Sequence, residues 1–263
     1  MVERVLEVRG VRLALDDRDG RGPAVVALHG LTSSRASEDV DGFFGWSPVA
    51  DAGRRLVRLD ARGHGRSSGS PEPDAYRWSA LADDLLTVLD ELSPDEPVDG
   101  IGVSMGTATL LTAAVRRPER FRRLVLALPP TAWATRAPQG AGYEAAARFI
   151  EQRGLDAFTR GAASLPGPPV AEAAGASAVP PDVDEALLPS VLRGAALSDL
   201  PGEDAIAGLR HEVLLLPWTG DPGHPVSTAE RLQELLPHAT MRVMADADGL
   251  RRAGRDAADF LLR

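Results

Sequence analysis

The chain contains no cysteine, so it can form neither a disulfide framework nor a thiolate metal site. Lysine and asparagine are also missing while arginine, alanine, glycine and proline abound, a bias that fits a GC-rich, bacterial-type genome and carries no functional information. No stretch is apolar and long enough to span a bilayer. The opening segment MVERVLEVRG carries Glu3, Arg4, Glu7 and Arg9 and so lacks the apolar run of a signal peptide. These absences imply a cytoplasmic protein with no membrane partner. A formal charge of -9 and a pI near 5.1 argue against binding to nucleic acid or anionic lipid, whose surfaces have the same sign. What remains is 263 residues, 44% hydrophobic and 25% charged, enough for one large core with an insertion.

Short apolar runs mark the strands. Arg4 to Val8 and Val11 to Leu15 alternate apolar and polar residues around Gly10, the pattern of a half-exposed antiparallel hairpin at a sheet edge. Ala24 to Gly30, Arg55 to Asp60, Val98 to Val103, Arg123 to Leu128 and Glu212 to Pro217 are β-rich, and several lack alternation, as strands covered on both faces do. A last strand is expected near Met241 to Met244. Helical spacing lies between them, over Trp78 to Leu92, Met105 to Arg116 and Thr228 to Leu236, with Pro118 and Pro237 closing the last two. Alternation of this kind predicts right-handed crossovers and a mostly parallel, doubly wound α/β sheet. The rhythm breaks between 129 and 210, where helical fragments near Tyr143 to Arg153 and Asp184 to Leu197 are joined by Ala/Pro/Gly-rich chain. This segment reads as a helical cap inserted into a core made of 1–128 and 211–263, with a mobile stretch near Pro166 to Pro181.

Three motifs carry chemistry. GVSMG, Gly102 to Gly106, follows an apolar run and opens a helix, the context in which a strained strand-to-helix turn lifts a serine hydroxyl above a sheet. Ser104 is therefore the predicted nucleophile, and its position also suits a helix-capping serine. HGLTSS, His29 to Ser34, ends the third strand, where a glycine turn can offer backbone N–H groups to a developing oxyanion; Leu31 and Met105 are the expected donors. DARGHGRSS, Asp60 to Ser68, follows the fourth strand.

In this order and separation, HG at 29, DxRGHGxS at 60 and GxSxG at 102 resemble the α/β-hydrolase superfamily, close to its small esterase and epoxide-hydrolase-like members. The resemblance implies an eight-stranded, mostly parallel sheet with a cap between strands six and seven. It also implies that His64 braces the turn after strand four. GDPGHPVSTAERL, from Gly220, resembles the family's acid loop, which makes Asp221 the carboxylate that orients a catalytic histidine.

The resemblance then fails at one place. The family carries its histidine in a loop after the last strand, and here that stretch reads ATMRVMADADGLRRAG. His238 precedes it in a turn, LPHAT, and reads as solvated. Three substitutes can be weighed: His224 swinging inward from the acid loop, His29 from the oxyanion loop, or an aspartate, Asp246 or Asp248, in the histidine's place. An aspartate beside Asp221 would have a raised pKa and would be a weak base for serine.

Three readings follow. One is a serine hydrolase of small esters, thioesters or lactones, impaired if no base replaces the missing one. Another is a non-hydrolytic binder of a small ligand, and a third is a lyase- or cyclase-type enzyme that uses the oxyanion hole without an acyl-enzyme. Each has a small molecule as its partner, and no cofactor or metal is called for. Trp133, Tyr143, Phe149 and Trp218 are aromatic candidates for the pocket wall.

Overall fold

The computed structural model describes residues 2–176 and 179–263. Eight strands form one sheet: β1 (Val2–Val8), β2 (Val11–Arg18), β3 (Arg21–Leu28), β4 (Arg54–Leu59), β5 (Val98–Val103), β6 (Phe121–Ala127), β7 (Glu212–Leu216) and β8 (Ala239–Met241). Their order is β1-β2-β4-β3-β5-β6-β7-β8. The hairpin read around Gly10 is present, with Val8 opposite Val11. Its two turn residues, Arg9 (φ 46°) and Gly10 (φ 81°), are both left-handed, the geometry whose twist matches paired strands. β2 runs antiparallel to β4, and all pairings beyond it are parallel.

Helices cover both faces, as the unbroken apolar strands require. They are α1 (Arg35–Asp41), α2 (Ser47–Asp51), α3 (Trp78–Leu92), α4 (Met105–Arg116), α5 (Arg136–Arg153), α6 (Leu155–Ala163), α7 (Pro169–Ala173), α8 (Leu188–Ala196), α9 (Glu203–Ala207), α10 (Val226–Leu235) and α11 (Ala247–Leu261). One core layer lies between the sheet and α3, α4, α9 and α10, and a second between the sheet and α2, α7 and α11. Among the described residues no helix is long and apolar enough to cross a membrane.

From β3 the chain builds β4 on one side and then returns to lay β5 on the other. The loops after β3 and β5 therefore diverge at neighbouring strand ends, the place where sheets of this type open a crevice.

The segment between β6 and β7 is not uniform. Residues of α5 and α8, among them Ala147, Ile150, Leu188 and Leu192, form a separate apolar cluster with Tyr76 and Val183. By contrast Val170 and Ala171 of α7 are buried in the second core layer beside Trp218 and Met244. The stretch expected to be mobile, Pro166 to Pro181, includes residues 177 and 178, which lie outside the described residues; α7 within it is packed.

Two features of the C-terminal part differ from the reading of the sequence. β8 ends at Met241, and Met244 keeps only an isolated bridge to Trp218. What reads as a loop continues into α11, which buries Leu250, Ala253, Ala257 and Leu261 on one face. Its alanines, glycines and interspersed Asp and Arg dilute the apolar signal although the spacing is helical.

One buried ion pair ties the sheet to this helix. Asp99 in β5 is fully buried and accepts from Arg54 Nη2 at 2.5 Å, while Arg54 also donates to the carbonyls of Pro23 and Leu261, each at 2.7 Å. Removing one partner of such a pair leaves an uncompensated charge in the core. Asp99→Ala should therefore lower the unfolding free energy in urea at pH 7 by about 3–5 kcal/mol. Asp90→Ala, which breaks an exposed pair with Arg117, should cost less than about 1 kcal/mol.

Candidate active site

Ser104 stands between β5 and α4 with φ 52° and ψ −108°, the strained turn expected for a nucleophile elbow. Ser104 itself takes the left-handed φ, and the two glycines of the motif serve close approach instead. A Cβ on Gly106 would lie 2.3 Å from the Leu28 carbonyl oxygen, and one on Gly102 would lie 2.5 Å from the Gly106 backbone. Any side chain at either position would push α4 off the sheet. Thr107 adds a clamp, its hydroxyl donating at 2.8 Å to the carbonyls of Gly102 and Ala127.

The turn after β3 comes up against this elbow, with the Cβ position of Gly30 3.7 Å from Ser104 Cβ. Thr32 follows at φ 63° and Ser33 N–H donates back to the Gly30 carbonyl at 3.2 Å. Among the hydrogen bonds of the described residues, the N–H groups of Leu31 and Met105 have no protein acceptor. Ser34 caps α1 and its hydroxyl donates at 2.5 Å to Asp182, whose N–H donates to the Thr32 carbonyl at 2.8 Å. The segment before β7 thus holds the turn that contains Leu31.

The third element is the turn after β7. Gly220, at φ 81°, reverses the chain, and the His224 N–H donates to the Asp221 carbonyl at 3.2 Å. Thr131 N–H pins this turn from the β6 side through the Gly223 carbonyl at 3.0 Å. Held in this way, the imidazole of His224 lies between Asp221 and Ser104. Its Nδ1 is 2.7 Å from Asp221 Oδ2, and its Nε2 is 2.7 Å from Ser104 Oγ.

The proton positions follow from the partners. Burial pushes the Asp221 carboxyl up, but the His224 hydrogen bond and charge, the Gly223 N–H and the Trp218 indole outweigh it and hold its pKa below the ordinary value. Asp221 is thus ionised and can only accept, so Nδ1 carries the imidazole proton and Nε2 is left to accept the Ser104 hydroxyl. Gly223 N–H donates to Oδ1 at 2.8 Å and Trp218 Nε1–H to Oδ2 at 2.9 Å.

A family model described as the alpha/beta hydrolase fold matches residues 23–163, more than half of the 263-residue chain. The chain belongs to the α/β hydrolase fold family. Among curated relatives, Epoxide hydrolase B of Mycobacterium tuberculosis is 34% identical over 131 residues, 47% of this chain and 34% of that protein. The sn-1-specific diacylglycerol lipase ABHD11 of Xenopus laevis is 36% identical over 119 residues, 44% of this chain and 36% of that one. The chain thus spans about a third of the length of these relatives. Among solved structures, the enol-lactonase from Burkholderia xenovorans LB400 superposes with a TM-score of 0.78 at 20% identity, covering 99% of this chain and 100% of that one, a likeness of fold.

Within this hydrolase fold the other predicted residues fall elsewhere. His29 is buried, its Nδ1–H donating to the Gly30 carbonyl at 2.7 Å and its Nε2 accepting the Ala61 N–H at 2.9 Å. Both ring nitrogens are committed to bracing the loops after β3 and β4, so none is left for Ser104. Asp246 caps α11 by accepting from Gly249 N–H at 2.7 Å, and Asp248 points to solvent and pairs with Arg251 at 3.1 Å. Neither takes the place of a histidine, because the chain there is already committed to a helix. His238 is an exposed turn residue. Of the four aromatics considered for the pocket wall, Trp218 touches the acid. Trp133 donates to the Pro201 carbonyl, Tyr143 packs in the α5–α8 cluster near Arg136, and Phe149 is exposed.

His64 is fully buried beside His29, with Nδ1–H donating to the Arg62 carbonyl at 2.8 Å. Burial and the neighbouring His29 push its pKa down to about 3, from an ordinary value of 6.5. Above pH 6.5 it is neutral in both folded and unfolded chain and imposes no penalty. Below that the unfolded chain takes up a proton the folded one refuses, so stability falls with acidification at up to about 1.4 kcal/mol per pH unit. His64→Asn, which keeps a donor for the Arg62 carbonyl, should show a shallower loss of unfolding free energy between pH 7 and pH 5 in urea titrations. Identical slopes for variant and wild type would rule out His64 as a source of that pH dependence.

Proposed function

We propose that the protein is a serine hydrolase of small esters, thioesters or lactones. Ser104 is the nucleophile, His224 the general base, Asp221 the acid that orients it, and the N–H groups of Leu31 and Met105 the oxyanion donors. The observation that carries this reading is the unbroken hydrogen-bonded chain from Ser104 Oγ through His224 to Asp221, with 2.7 Å at each step. An isolated serine hydroxyl is a poor nucleophile, and this chain supplies the neighbour that takes its proton. It argues for acyl transfer over mere ligand binding.

In the proposed cycle His224 Nε2 removes the Ser104 proton as Oγ attacks the substrate carbonyl. The resulting imidazolium is stabilised by ionised Asp221, and the oxyanion lies between the Leu31 and Met105 N–H groups near the positive end of α4. His224 then passes its proton to the leaving oxygen or sulfur, and water activated by the same nitrogen releases the acid and regenerates Ser104. Within segment 129–210, α5 and α8 with the chain around Asp182 act as the cap, a role supported by the packing of Leu31 against the α5–α8 cluster and by the hold of Asp182 on the turn beside it, while α7 and α9 pack with the sheet.

The nucleophile narrows the substrate class. A serine oxygen that opened an epoxide would be left as a stable ether that water does not cleave, whereas attack on an acyl carbonyl gives an ester that the same machinery hydrolyses. The epoxide chemistry named for one relative is accordingly not assigned to this chain.

A short-chain aryl ester tests the proposal. Ser104→Ala, His224→Gln and Asp221→Ala should each reduce kcat/KM by roughly a thousandfold or more, while Asp248→Ala leaves it unchanged. A fluorophosphonate should label the wild type and not Ser104→Ala. Equal turnover by wild type and Ser104→Ala would defeat the serine-hydrolase reading.

A further inference from the structure

We propose that Trp218 is a positioning residue of the Ser104–His224–Asp221 relay, its indole N–H fixing the rotation of the Asp221 carboxylate so that Oδ2 faces His224. The inference rests on the proposed hydrolase reading and adds a fourth member to that site. Trp218 Nε1–H and His224 Nδ1–H both donate to Asp221 Oδ2, at 2.9 and 2.7 Å, while Gly223 N–H takes Oδ1 at 2.8 Å. Three donors thus leave the carboxylate a single favourable rotation.

An external fix matters because of how the acid and base are connected. Asp221 and His224 are three residues apart in one turn, so neither is located by a separate strand. A carboxylate free to rotate would let the imidazole drift with its own turn, away from Ser104. Trp218 supplies a reference from outside the turn. It is 9% exposed, belongs to the same core layer as Val170 and Ala171 of α7, and has Phe44 edge-on at 6.4 Å between ring centroids. Its backbone bridges Met244, whose N–H donates to the Pro217 carbonyl at 2.8 Å. The indole also meets the His224 ring edge-on, with centroids 6.2 Å apart, so it bounds the imidazole as well as the acid.

The alternative is that Asp221 merely satisfies a buried indole N–H and Trp218 fills space. The two are separated by replacing Trp218 with β-(3-benzothienyl)alanine, which keeps the bicyclic shape but has sulfur where the N–H was. Trp218→Phe is the companion variant. His224 is the titratable partner at Oδ2; Asp41 and Glu172, on α1 and α7, line the cleft on the other side of Trp218 and are retained in both variants. Loss of the indole donor makes the Asp221 anion more basic and strengthens its hold on the His224 imidazolium. The acid limb of the kcat/KM profile on an aryl ester should therefore move up by about half a pH unit. Loss of the fixed rotation should lower kcat about tenfold with KM within about twofold of wild type.

An upward limb shift and reduced kcat in the benzothienyl protein support the proposal. A benzothienyl protein with wild-type kcat and pH profile overturns it, whatever Trp218→Phe does to stability. Ser104→Ala, assayed in parallel, separates the two levels: retained activity there removes the relay and the proposal with it, whereas lost activity with an unmoved benzothienyl profile removes only the role of Trp218.

Discussion

The hydrogen bond from His224 Nδ1 to Asp221 Oδ2 closes within one turn, and the geometry around Ser104 depends on where that turn is held. Three independent elements hold it. Thr131 N–H reaches it from the chain after β6, Trp218 from the end of β7, and Ser104 itself from the elbow on β5. β5, β6 and β7 are adjacent parallel strands, so the three anchors move with a single buried sheet. A short polar turn with little core of its own thereby acquires the rigidity of the strands beneath it.

Burial is the physical reason that two of the chain's histidines are excluded from base chemistry. His29 and His64 lie with ring centroids 5.0 Å apart under the loops after β3 and β4, and burial depresses the pKa of each. They act as neutral struts with hydrogen bonds to backbone. His224 differs in being partly open to solvent, with 21% of its side chain exposed, and in facing a carboxylate. Its two ring nitrogens meet side chains, Asp221 at Nδ1 and Ser104 at Nε2, where those of His29 meet only backbone.

The parallel sheet, the edge hairpin, the strained turn at Ser104 and the polar turn around Asp221 were legible because each depends on local pattern: apolar runs, a turn glycine, or a motif in its strand-to-helix context. The proposed base was harder to read. His224 was visible as one of three substitutes, but nothing local says whether the side chain of a turn residue points inward, since that is set by Thr131 and Trp218, distant in sequence or packed from below. Asp246 and Asp248 misled for the opposite reason. Their segment reads as the family's histidine loop by position, yet Asp246 begins a helix whose apolar face is made largely of alanine, and small residues give a weak periodic signal. Trp218 could be noted as an aromatic near the acid, but its N–H contact with Asp221 is a matter of rotamer, which sequence spacing does not specify.

In the proposed relay, every reacting side chain has been supplied by residue 224. The stretch from β8 through α11 then carries none of the chemistry and contributes only packing, through Met244, Leu250, Ala253 and their neighbours. In a triad whose histidine follows the last strand, each insertion or deletion in that region also displaces a catalytic group. Here the two roles are separated: the connection between β8 and α11 supplies no reacting group and bears on the relay only through Met244, whose N–H holds the Pro217 carbonyl beside Trp218. The burden shifts to the few residues between Trp218 and His224, where recognition of the acid, placement of the base and reversal of the chain are compressed into one turn that has little freedom to change.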